Sequence, residues 1–135
     1  MELVDTNVFV RHIVRDDVEK ADRALAYFDG LFEGPARATV TEATVAEVLY
    51  VVGSPRYYAF SRSRIVEALR AILALPGFTI AHPSAVERAL AVYESTNIDF
   101  VDALNVAHAE RLGADAIVSF DRDYDRFPSV IRREP

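Results

Sequence analysis

Residues 38–53, Ala38-Thr39-Val40-Thr41-Glu42-Ala43-Thr44-Val45-Ala46-Glu47-Val48-Leu49-Tyr50-Val51-Val52-Gly53, change character after their third residue. Ala38-Thr39-Val40 is a strand candidate. From Thr41 onward the apolar residues Val45, Val48, Leu49 and Val52 recur at helical spacing and form one stripe. Thr41 has the side chain of an N-cap, and Gly53-Ser54-Pro55 closes the helix. A strand that runs straight into an amphipathic helix is the repeating step of an α/β fold.

The same step recurs on both sides. Upstream, Glu2-Leu3-Val4 is a short strand that ends at Asp5, and residues 17–32 carry Val18, Ala21, Leu25, Phe28 and Phe32 as the apolar face of a helix ending before Gly34-Pro35. Downstream, Ile65, Val66, Leu69, Ile72 and Leu73 line a helix that stops at Pro76-Gly77, and Phe78-Thr79-Ile80-Ala81 is a strand. Val86, Ala89, Leu90 and Tyr93 mark a helix from about Pro83-Ser84. Another runs from about Phe100 to Leu112, with Gly113 as its stop. Ala116-Ile117-Val118-Ser119-Phe120 reads as the clearest buried strand, and Val130-Ile131 as a final short one. Short apolar strands separated by helices imply an α/β fold with a mostly parallel central sheet. With no repeats or linker-like stretches, a single domain over residues 1–135 is expected.

Composition narrows the chemistry. Apolar residues make up 51% of the 135, enough for a real core, so intrinsic disorder is not expected. Cysteine is absent, which rules out disulfides and thiolate metal sites. The three histidines, His12, His82 and His108, are scattered, which disfavours a histidine zinc site. The opening residues do not read as a signal peptide, and no apolar run approaches the ~20 residues of a membrane helix, so a cytoplasmic protein is expected. The net charge of −6 argues against a general nucleic-acid binder. Counting four acids as metal ligands removes most of that charge, and all but Lys20 of the 15 cations are arginine, the side chain suited to bidentate phosphate contact.

In parallel α/β sheets ligands bind beyond the carboxyl ends of the strands, and acids stand there. Asp5 follows the first strand and Asp121 the last long one; each, alone, is also ordinary turn chemistry. Glu47 is the only charged residue from Val45 to Val52, on the flank of the stripe beside Ala43 and Val51, where a carboxylate must be solvated, paired or metal-bound. Asp99 has the place of an N-cap. That puts Asp102 in the first helical turn, where the helix dipole favours a carboxylate with or without a function. Asp121, Asp123 and Asp125 alternate, but positions six and twelve of the run are Arg126 and Arg132, so it is not an EF-hand. Hard Mg²⁺ or Mn²⁺ would suit an all-oxygen set. One ion would activate water near neutral pH, and a second would stabilise the leaving oxygen of an in-line phosphoryl displacement.

Four segments, Val4-Asp5-Thr6-Asn7-Val8, Thr44-Val45-Ala46-Glu47-Val48, Phe100-Val101-Asp102-Ala103-Leu104 and Ser119-Phe120-Asp121-Arg122-Asp123, resemble in order the motifs of the PIN-domain family, over about residues 2–128. Length and the opening Asp-Thr-Asn are most similar to its VapC toxins. The resemblance implies a three-layer α/β/α fold and an endoribonuclease that uses Mg²⁺ or Mn²⁺. It also implies a homodimer held inactive by a VapB-like antitoxin. Asp5, Glu47, Asp102 and Asp121 match the catalytic, metal-holding quartet, Asp123 an additional metal position, and Thr6 and Asn7 groups that orient Asp5 or metal-bound water. Arg11, Arg15, Arg122 and Arg126 are candidate phosphate contacts to RNA, and also read as solvated surface arginines. The apolar surface around Tyr50 and Tyr57-Tyr58 is a candidate dimer face.

Other acidic-pocket enzymes fit less well. A haloacid-dehalogenase-type phosphatase wants an acid two residues after its first Asp, where Asn7 stands. A receiver domain uses a late lysine, and the only lysine is Lys20. A non-catalytic PIN module, or a DNA nuclease with the same site, remains as an alternative.

Overall fold

The computed structural model describes all residues from Met1 to Pro135 and divides the chain into two compact units, Met1–Ala81 and His82–Pro135. In chain order the elements are β1 (Glu2–Leu3), α1 (Thr6–Val14), α2 (Val18–Glu33), β2 (Ala38–Val40), α3 (Glu42–Gly53), α4 (Arg62–Leu73) and β3 (Phe78–Ile80) in the first unit. The second holds α5 (Pro83–Ser95), α6 (Phe100–Leu112), β4 (Ile117–Val118), a 3₁₀ turn over Arg122–Arg126, and β5 (Arg132–Arg133). Every strand pairing is parallel, as the strand–helix alternation requires. No helix is long and apolar enough to cross a membrane.

In the first unit the sheet order is β1-β2-β3, with Leu3 opposite Thr39 and Thr39 opposite Thr79. The central strand is the buried one: Ala38 and Val40 have almost no exposure. Phe9 of α1 is fully buried, its ring 5.6 Å from Phe28 of α2 and 6.1 Å from Phe78 of β3. One aromatic thus ties two helices to the sheet. The α3 stripe is as expected, with Val45, Val48, Leu49 and Val52 all buried, and Thr41 Oγ1 accepts from the Thr44 amide at 3.1 Å. Gly77 is required where it stands. A Cβ there would lie 2.6 Å from the Ala36 carbonyl and 2.7 Å from that of Leu31, which accepts the Gly77 amide.

The buried face of α2 differs from the expected one. Ala21 and Phe28 face inward, but Ala24 and Leu31 accompany them, while Val18, Leu25 and Phe32 are exposed. Stripes stepping by three or by four from Ala21 both fit a helical period. The small Ala24 lets α2 pack closely, and hydrophobicity alone chose the neighbouring row.

In the second unit α5 and α6 pack along each other, burying Val86, Ala89, Leu90 and Tyr93 against a core that includes Ala103, Val106 and Ala107. Gly113 ends α6 with φ of 63°, the left-handed conformation glycine adopts without strain. The stretch 116–120 departs from the buried strand expected. Only Ile117–Val118 is strand, paired solely with β5, and Val118 and Phe120 are exposed. Val118 and Phe120, two residues apart, share one face of the ribbon, and that face is left to water. The last strand lies at Arg132–Arg133 rather than Val130–Ile131. Its register is held by Arg132, whose guanidinium donates to the Ser119 carbonyl at 3.0 Å and to Asp125 at 2.9 Å.

Candidate active site

Asp5 sits where β1 gives way to α1. Its backbone occupies the N-cap position, yet its side chain makes no capping bond and is exposed. The side chains of Asp17, Thr41 and Ser61 do cap their helices, so turn chemistry does not account for Asp5. Asp5 lines a cavity of about 330 Å³ together with Val4, Val8 and Tyr27. Burial, with the Glu2 carboxylate that accepts its hydroxyl at 2.9 Å, pushes the Tyr27 phenol up to about 12.

Glu47 lies on the exposed flank of α3, one residue off the buried stripe. Its Oε2 accepts a hydrogen bond from Thr6 Oγ1 at 2.7 Å. Thr6 therefore orients Glu47, on a different helix, rather than Asp5 beside it. Asn7 is exposed and lines a second cavity of about 400 Å³ with Arg11, Lys20 and Arg23. Arg11 and Arg15 are each engaged by an acid: Arg11 donates to Asp16 and Arg15 to Asp22, both at 2.7 Å. Tyr58 donates to the other Asp16 oxygen at 3.0 Å. The Arg11 hydrogen bond is the main reason the Asp16 carboxyl is held below its ordinary range.

In the second unit Asp102 stands in the first turn of α6, half-buried. The Tyr124 hydroxyl donates to its Oδ1 at 2.9 Å, and Asn105 Nδ2 donates to the Tyr124 oxygen at 3.0 Å. Because Asn105 supplies a proton to that oxygen, the phenolic proton is directed at Asp102. Burial first, and Asp102 as an acceptor, push the Tyr124 phenol up, opposed by Asn105. Sequence reasoning missed both residues. The signals were present: Asn105 is one turn from Asp102, and Tyr124 is the one aromatic inside the acidic run.

Asp121 and Asp123 are exposed at the start of the 3₁₀ turn, where Asp121 Oδ1 accepts from the Asp123 amide at 2.9 Å. Arg126 approaches Asp123 at 3.7 Å and donates to Asn97 at 2.8 Å, while Arg122 approaches Asp125 at 3.7 Å. All four arginines marked from the sequence thus have acidic neighbours. Asp99 holds the N-cap position of α6 without a side-chain capping bond.

The donor chemistry fits a hard divalent cation. Glu47, Asp102 and Asp121 each commit one oxygen to a protein donor and keep the other without one, and Asp5 keeps both. A carboxylate held by one oxygen and open at the other has the form of a pre-oriented ligand. A VapC ribonuclease of Aquifex aeolicus (strain VF5) is 25% identical over 126 residues, covering 93% of this chain and 91% of the relative. The PIN domain matches residues 3–130, nearly the whole chain and including Asp5, Glu47, Asp102, Asp121 and Asp123, and the protein belongs to the PIN-domain family.

Proposed function

We propose that this chain is a VapC-type toxin, an endoribonuclease hydrolysing RNA phosphodiester bonds as one domain over residues 1–135. The observation that carries the reading is the likeness to a VapC ribonuclease along almost the full length of both chains. Asp5, Glu47, Asp102 and Asp121 are the catalytic carboxylates that hold Mg²⁺, with Mn²⁺ able to substitute, and Asp123 is a fifth ligand. The cation supplies activation of water and neutralisation of charge on the scissile phosphate.

The chain's own residues orient the ligands. Thr6 fixes the rotation of Glu47 by donating to one oxygen, and Tyr124, its proton aimed by Asn105, does the same for Asp102. Asn7 orients Asp5 or metal-bound water. Arg11, Arg15, Arg122 and Arg126 contact RNA phosphates, each exchanging a carboxylate neighbour for a phosphate. The toxin acts in the cytoplasm as a homodimer and is held inactive by a VapB-like antitoxin.

The test is cleavage of mixed tRNA and single-stranded RNA with Mg²⁺ or Mn²⁺, comparing wild type with Asp102→Asn. The substitution keeps shape and removes a charge the cation needs. Activity is expected to fall by more than the roughly 10–100-fold that loss of an outer hydrogen-bonding partner costs. Equal cleavage by both proteins would sink the quartet assignment.

A further inference from the structure

The α3–α4 connection is positively charged in an acidic chain. From Tyr50 to Arg64 there are three arginines and no acid, in a protein whose net charge is −6. Aromatic residues share the segment with the cations: Tyr57, Tyr58 and Phe60 lie between Arg56 and Arg62, Arg64 follows, and Tyr50 precedes them all. Tyr50 and Tyr57 are 67% and 55% exposed, far more than tyrosines that serve a core.

The segment is also built to hold its shape. The Tyr57 and Ala59 amides both donate to the Ser54 carbonyl, and the Phe60 amide returns to Val52 at the end of α3. Ala59 takes a φ of 55°, a left-handed turn that folds the loop back on itself. Tyr58 points the other way and donates to Asp16, which Arg11 also grips. One tyrosine anchors the loop and its neighbour is left outward. Arg64 lies over the Phe60 ring at 3.9 Å, stacking one flat cation on an aromatic face. Unlike Arg11, Arg15, Arg122 and Arg126, neither Arg56 nor Arg64 has a carboxylate partner.

The platform leads to the candidate site. Tyr50 is three residues beyond Glu47 on the same exposed side of α3, about 4.5 Å along the helix axis. Exposed π-faces near Arg56 and Arg64, neither of which has a carboxylate partner, suit the stacked bases and phosphates of a single strand. A second copy docked by two-fold symmetry would set these arginines against themselves, whereas RNA brings bases for the rings and negative charge for the arginines.

We propose that Tyr50, Tyr57, Arg56 and the Phe60–Arg64 stack form a docking platform for single-stranded RNA, guiding unpaired nucleotides flanking the cleaved bond toward Glu47. The proposal rests on the ribonuclease reading for its direction, but its binding test does not need cleavage. Fluorescence anisotropy with a labelled oligouridine, in EDTA, compares wild type with Tyr50→Ala/Tyr57→Ala and with Arg56→Gln/Arg64→Gln. Loss of the two tyrosines is expected to weaken binding at least about fivefold. Loss of the two arginines is expected to flatten the salt dependence by about 0.7 in slope for each contact removed. Circular dichroism checks that both variants stay folded, and sedimentation velocity follows self-association. Wild-type affinity in both variants, or no saturable binding by wild type, would overturn the platform. So would loss of a dimer with RNA affinity intact, which would assign the face to a second copy. Binding that depends on the platform without any cleavage would leave it standing and remove the ribonuclease reading; cleavage with unaffected binding would do the reverse.

Discussion

A hydroxyl steadies an acid in each compact unit, and the two arrangements differ in burial. In Met1–Ala81 the donor is Thr6, reaching Glu47 at the exposed flank of α3. In His82–Pro135 it is Tyr124, only 4% exposed, reaching a half-buried Asp102 with Asn105 behind it. An exposed bond competes with water at every moment. A part-buried one does not, and breaking it strands a carboxylate oxygen in a drier place. The cores differ in the opposite sense. The first unit buries Phe9 completely between two helices and a sheet, whereas the short ribbon of the second leaves Phe120 74% exposed.

The largest effect should come from that difference in cores. Phe9→Ala is expected to cost about 3–5 kcal/mol of stability, while Phe120→Ala should stay within about 0.5 kcal/mol. Urea unfolding of both variants measures this, and comparable losses would mean that the ribbon is covered in solution.

Next come the hydroxyls. Tyr124→Phe should cost about 1.5–3 kcal/mol, the range for a hydrogen bond to a charged group. Thr6→Val should cost less than about 1 kcal/mol. Chemical denaturation again decides, and the reverse order would break the comparison between buried and exposed support.

The smallest effect concerns His12 on α1, half-buried beside Phe28, with ring centroids 5.1 Å apart and a buried Nδ1 that has no partner. Burial foremost, then Arg15, lowers its pKa from 6.5. The folded state therefore favours neutral histidine. Stability is full above the unfolded value and declines as pH falls from about 6.5 toward the lower folded value. His12→Phe removes that decline. Denaturation midpoints at about pH 7.5 and 5.5 should converge for the variant more than for wild type. An equal pH response in both would show that His12 is hydrated.

Much of this was legible along the chain. The cap at Thr41, the stripe of α3, the stop at Gly113 and the place of Asp102 one turn into α6 are local properties, set by φ/ψ preference and helical period. The helix α1 was not legible: Thr6–Val14 is crowded with β-branched residues, and packing of Phe9 and Val10 overrides their weak strand preference. The α2 face was half legible, because the rows through Leu25 and through Ala24 are equally periodic and only the neighbouring elements choose between them.

Acids at strand ends and in the first turn of a helix, in the order of the PIN motifs, belong to the sequence, since each position follows from its own element. Their partners belong to tertiary structure. Thr6 and Glu47 are 41 residues apart, and Tyr124 and Asp102 are 22 apart. Such pairs meet only after helices have packed, so no local pattern encodes them. The same holds for Arg56 and Arg64, whose lack of a carboxylate partner depends on where every acid of the fold has gone.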